Sequence, residues 1–100
     1  MSDITFQFEE EAGQGRLIGR VAGYDEPAEM TFTRRAPDLI SLDHTGVPDS
    51  LGGQGVGKEL SAEIVRLARE QGFKIVPRCP YFKAQVDKHT DWADVIAAGD

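Results

Sequence analysis

The stretch that most constrains this chain is Val47-Pro48-Asp49-Ser50-Leu51-Gly52-Gly53-Gln54-Gly55-Val56-Gly57-Lys58-Glu59-Leu60. An apolar run enters a glycine-dense loop, and an amphipathic helix leaves it. Without a Cβ, glycine lets the backbone N–H groups turn inward and a ligand come close. A helix that starts directly behind adds unpaired N–H donors and a partial positive charge. Loop and helix together predict a phosphate-binding site.

Three glycine motifs compete for that loop. The NTPase pattern G-x-x-x-x-G-K-[S/T] fits Gly52 to Lys58, but Glu59 stands where a hydroxyl must hold magnesium, and its carboxylate repels phosphate. The dinucleotide pattern G-x-G-x-x-G fails from Gly53, which needs glycine at Lys58, and from Gly55, which needs it at Leu60. The pyrophosphate pattern [Q/R]-x-x-G-x-[G/A] is met at its end by Gly55-Val56-Gly57, with Gly52 at the position that calls for Gln or Arg.

Around the loop the periodicity predicts an α+β fold. Ile4, Phe6 and Phe8 alternate with Thr5, Gln7 and Glu9, as in a half-buried strand. Arg16 to Ala22 reads as a second strand, Ala28 to Thr33 as a third, and Leu39 to Val47 as a fourth. Short turns make these four an antiparallel meander. Val56, Leu60, Ile64, Leu67 and Ala68 share one face of the helix, and Gly72 ends it. Phe73 to Val76 is a fifth strand, parallel to the fourth through a right-handed crossover. Pro80 suits the first turn of a second helix, with Phe82, Val86 and His89 on one face. Trp92, Val95 and Ile96 predict a last helical turn. The sheet is therefore mixed and mostly antiparallel. The site falls beyond the carboxyl ends of strands four and five, among Thr45–Val47, Gly52–Gly57 and Cys79–Tyr81.

Leu42-Asp43-His44-Thr45-Gly46-Val47-Pro48, the glycine loop, and Phe73-Lys74-Ile75-Val76-Pro77-Arg78-Cys79-Pro80-Tyr81-Phe82 occur in that order. In this the chain resembles the GNAT acyltransferase superfamily, and more narrowly its small YjdJ-like N-acetyltransferase branch, over roughly residues 39–92. The resemblance implies one acyl-CoA-binding domain over residues 1–100, with acetyl-CoA as donor. It implies diphosphate contacts from Gly52, Gly53, Gln54, Gly55, Val56 and Gly57, and acyl-carbonyl contacts along Thr45, Gly46 and Val47. Lys58 and Arg78 are plausible partners for the phosphates. The two helices that many members place between their first two strands are missing, which leaves the acceptor side open.

Acyl transfer needs an acceptor base, oxyanion donors and an acid for the leaving thiolate. Cys79 precedes Pro80 at a helix start, where thiolate is favoured; it could protonate the departing sulfur, accept the acyl group, or be a small buried hydrophobe. Tyr81 reads as the acid toward sulfur or as an aromatic packed with Phe82. His44 reads as the base or as a core residue, sharing the face of Leu42 opposite Asp43 and Thr45. Direct attack by an amine is the expected route, and a covalent Cys79 intermediate the variant. The alternative from another class is a coenzyme A-binding module without catalysis.

Composition narrows the partners. A net charge of −6 argues against nucleic acid; it is a plain solubility device or suits a cationic acceptor, whether a small amine or a protein lysine. One cysteine and two histidines exclude a cysteine-rich metal site, so no metal is expected. No apolar run approaches a membrane span and the start lacks a signal-peptide pattern, so the expectation is a cytoplasmic protein, monomeric or weakly dimeric.

Overall fold

A computed structural model describes residues 3–52 and 55–97. Five strands form one sheet in chain order: β1 (Ile4–Glu11), β2 (Gln14–Val21), β3 (Ala28–Ala36), β4 (Leu39–Gly46) and β5 (Lys74–Pro77). The first four pair antiparallel, and β5 runs parallel to β4. Helix α1 (Val56–Gln71) makes the crossover, and α2 (Pro80–Lys88) and a 3-10 turn (Thr90–Val95) follow β5. This is the mixed α+β arrangement that the periodicity predicts. Among the described residues no helix is long and apolar enough to cross a membrane.

One sheet face is apolar because paired residues of antiparallel strands point the same way. Leu17 faces Met30, and Phe32 faces Leu42. They join Ile40 and Ile75 beneath Val56, Leu60, Ile64 and Ala68 of α1 in one buried cluster. Phe82, Trp92 and Val95 complete it, with the Phe82 and Trp92 rings stacked 6.2 Å apart. Truncating a fully buried ring such as Phe82 costs about 3–5 kcal/mol. The water-facing side of α1 carries Arg66, which bridges Glu63 and Glu70.

The second face is polar. Thr5, Gln7, Arg16, Arg20, Arg35, Asp43 and His44 are all exposed on it, so no element among the described residues lies over them. The turn between β1 and β2 is only Ala12 and Gly13, at φ 56° and 83°. Two left-handed residues match the twist of a tight hairpin, and no helices intervene there, as the spacing of the first two strands predicts.

Three local readings are corrected. The β3–β4 register shifts between the pairs Thr31–His44 and Phe32–Leu42, leaving Asp43 as an extra, bulged residue. The bulge reverses the alternation after it. Thr45 therefore shares the inner face with Leu42, and His44 is turned out to solvent, where simple alternation puts it with Leu42. In α2, Gln85 is buried beside Phe82, whereas His89 lies past the helix end and stacks on Trp92 at 4.1 Å. Ile96 is not helical: it bridges to Ile75, and the Ala97 N–H reaches the Ile75 carbonyl at 2.8 Å.

Candidate active site

The parallel pair β4–β5 parts early. Its ladder ends at Leu42 opposite Pro77. The N–H groups of Arg78 and Cys79 both reach the Leu42 carbonyl, at 3.2 and 2.9 Å, and close it off. Among the described residues, no backbone bond joins these two segments beyond that point. What meets across the opening is a hydrogen bond of 3.2 Å between Thr45 Oγ1 and Cys79 Sγ. The Asp43 bulge aims Thr45 there, and side chains hold the bulge: Thr33 Oγ1 and Ser41 Oγ donate to the Asp43 carboxylate at 2.7 and 3.0 Å. Arg35 Nε in turn donates to the buried Ser41 hydroxyl at 3.2 Å. No sequence pattern signals this clamp, because its members come from two strands joined only by register.

The glycine loop lies at the open end. A 3-10 turn (Asp49–Leu51) leads to Gly52, and Gly55 caps α1 at φ 72°, a left-handed conformation that penalises any Cβ. Gly55 offers no side-chain acceptor, and the Glu59 N–H makes its helical bond back to the Gly55 carbonyl at 3.1 Å. The amides of Val56, Gly57 and Lys58 thus lack intrahelical partners, which suits an anion. Gly53 and Gln54 lie outside the described residues. The Val56 side chain is buried in the core, so only its backbone can serve a ligand. Lys58 and Arg78 are exposed. Gly46 is half-buried, and Val47 is exposed at the end of β4.

Tyr81 closes one side of this end. A Cβ on Gly57 would stand 2.6 Å from the Tyr81 hydroxyl oxygen, so glycine at the second helical position makes room for the phenol. Burial first, and the neighbouring Cys79 charge second, push the Tyr81 pKa above its ordinary value, which keeps the hydroxyl protonated and able to donate. Cys79 is the N-cap of α2, with Pro80 behind it, and only 2% of its surface is exposed. His44 stands on the other side of β4, exposed. Of the residues that the sequence singles out, Thr45, Cys79, Tyr81 and Gly57 lie around one opening, and His44 lies on the opposite face of β4.

A mixed sheet whose parallel strands part beside a glycine-capped helix is the arrangement of the GCN5-like fold that this chain shares. The profile of the GCN5-related N-acetyl-transferase family matches residues 18–95, and the chain belongs to that family. Among solved structures, it is similar to a protein from Staphylococcus aureus described as a "GCN5-like putative N-acetyltransferase", solved by NMR in solution. The two share 34% identity, over 94% of this chain and 90% of that one, with a TM-score of 0.65. No curated protein matched.

Proposed function

We propose that this chain, as one domain over residues 1–100, moves an acetyl group from acetyl-CoA to an amine by direct attack. The observation that carries the reading is the parting of β4 and β5 beside the uncapped amides of α1. Those amides, with the Gly52–Gly55 loop, hold the diphosphate, and Lys58 and Arg78 supply charge nearby. The thioester supplies an activated carbonyl. Backbone donors of Thr45 and Val47, and Gly46 between them, line the carbonyl's seat on β4. His44 takes the proton of the attacking nitrogen as the C–N bond forms. Tyr81 gives its proton to the sulfur as the C–S bond breaks, and solvent returns one proton from His44 to Tyr81. Cys79, buried and bonded to Thr45, positions that strand. The protein works in the cytoplasm as a monomer or weak dimer.

Calorimetry with acetyl-CoA, combined with thiol release in the presence of polyamines, amino acids and lysine peptides, tests this. Binding together with thiol release driven by an amine is expected. A rival reading, binding without transfer, draws on Gly52, whose lack of a side chain removes a phosphate contact. Tight binding with no turnover on any amine would favour that rival. No binding at millimolar acetyl-CoA would sink both.

A further inference from the structure

We infer that the acceptor is a primary amine with an apolar body, and that it seats in an open hollow of about 440 Å³ lined by Pro27, Glu29, Gly46, Val47 and Pro48. The inference rests on the acetyl-transfer reading and adds the class of acceptor. The hollow lies at the end of β4, next to Thr45. Pro27, Val47 and Pro48 give it an apolar wall, and Val47 is one of the few large apolar side chains left in contact with solvent, at 39% exposure. Glu29 supplies the charge.

Position joins that hollow to the site. Glu29 stands opposite Gly46 in the β3–β4 register, on the polar face that also carries His44. Among the described residues, its chain neighbours aside, a Cβ built on Gly46 would meet only His44 Nε2 within 4 Å, at 3.7 Å. The missing side chain therefore leaves a clear path from the hollow to the imidazole. An ammonium beside Glu29 would lie along that path, with its apolar part against Val47 and the prolines. It gives up one proton to solvent before attack, and His44 is the group placed to take the second as the C–N bond forms.

The electrostatics select a cation. Glu29 Oε1 accepts a bond from Arg16 Nη1 at 3.3 Å, but Arg16 sits closer to Glu9, at 2.9 Å. Glu29 is thus a loosely held carboxylate that an ammonium can share. An anionic acceptor would meet Glu29 directly and, across Pro27, the Glu26 carboxylate. Glu26 accepts the Ser50 hydroxyl at 3.3 Å, which ties the β2–β3 connection to the 3-10 turn and holds the two proline walls together.

Backbone NMR of the labelled full chain, titrated with phenethylammonium, tests the site without requiring turnover. Saturable shifts centred on Glu29, Gly46 and Val47 are expected, and none with the anion 3-phenylpropionate. Glu29→Gln should weaken binding about tenfold, the loss of one charge-assisted contact. Gly46→Val, which fills the path to His44 at a backbone position without left-handed strain, should weaken it as well. Equal affinity in Glu29→Gln, equal binding of the anion, or shifts centred elsewhere would overturn the inference. Acetyl-CoA titrated into the same samples separates the two claims. Cofactor binding without amine binding sinks only the acceptor site, and amine binding without cofactor binding sinks only the donor assignment.

Discussion

The hydroxyl of Thr45 and the sulfur of Cys79 meet at 3.2 Å although 34 residues separate them in the chain. Their contact spans the place where two parallel strands stop sharing backbone bonds, so it fixes the width of the opening. It also accounts for a cysteine at a helix N-cap that makes no side-chain bond to its own helix.

That contact predicts how the thiol behaves. With only 2% of its surface exposed, Cys79 should react slowly with an aromatic disulfide reagent in the native protein. Thr45→Val should accelerate the reaction and cost about 1 kcal/mol of stability, the worth of one hydrogen bond. Stopped-flow absorbance and denaturant melts measure the two. Fast labelling of the unmodified protein would place the sulfur in solvent and revive a covalent route.

Direct transfer and the covalent route also differ in turnover. Cys79→Ala should keep kcat within a few-fold, because the group it supports is backbone. Tyr81→Phe should lower kcat about 100-fold, the usual worth of a positioned acid. Because the Tyr81 pKa lies above the ordinary tyrosine value, its proton stays available through neutral pH, and the alkaline decline of kcat should have its midpoint above that ordinary value. A loss at pH 8–9 that vanishes in Tyr81→Phe would contradict that placement.

Gly57 tests the same tyrosine from the other side. A methyl there stands 2.6 Å from the phenol oxygen, so Gly57→Ala should turn the ring out. The ring is already 38% exposed and free to move, so the fold should survive. The stability change should be about 1 kcal/mol or less, because alanine's better helix propensity offsets the loosened packing of the ring. Turnover should fall toward that of Tyr81→Phe, and the double variant should be no worse than either.

Acid stability is carried in part by Glu10. Hydrogen bonding to Arg34 first, opposed by burial and aided by Arg34's charge, holds the Glu10 pKa below 4.5. Arg34 also lies over the Phe73 ring, 5.2 Å from its centre. A lowered folded pKa means that the pair's contribution is complete above the unfolded value of 4.5 and fades as pH falls through the folded one. Glu10→Gln should therefore cost about 0.5–1 kcal/mol at pH 7 for a pair still partly open to solvent, and almost nothing at pH 2. Paired thermal melts at the two values check the sign.

Much of the frame is legible in the chain. Alternation from Ile4 to Phe8, the helical face from Val56 to Ala68, and the Gly72 stop each report a local preference; burial agrees with the first two and the left-handed Gly72 cap with the third. The grouping of Thr45, the loop and Cys79–Tyr81 follows from one crossover rule. Alternation misplaces His44 because a bulge adds one residue to the count. Counting along β4 cannot register an insertion that Thr33, on the neighbouring strand, and Ser41 hold in place. Ile96 reads as helical because an apolar residue near a chain end looks alike whether it packs from a turn or pairs with β5. The hollow at Glu29 is invisible for a simpler reason: it is made of what Gly46 lacks.

The two-residue hairpin at Ala12 and Gly13 has a cost at the proposed reaction centre. With no chain inserted between β1 and β2 to roof the polar side of the sheet, water should reach a thioester carbonyl bound as proposed as freely as an acceptor does. The donor should then drain slowly by idle hydrolysis, and the acceptor's residence beside Val47, rather than any closing lid, should set how much acetyl ends up on nitrogen.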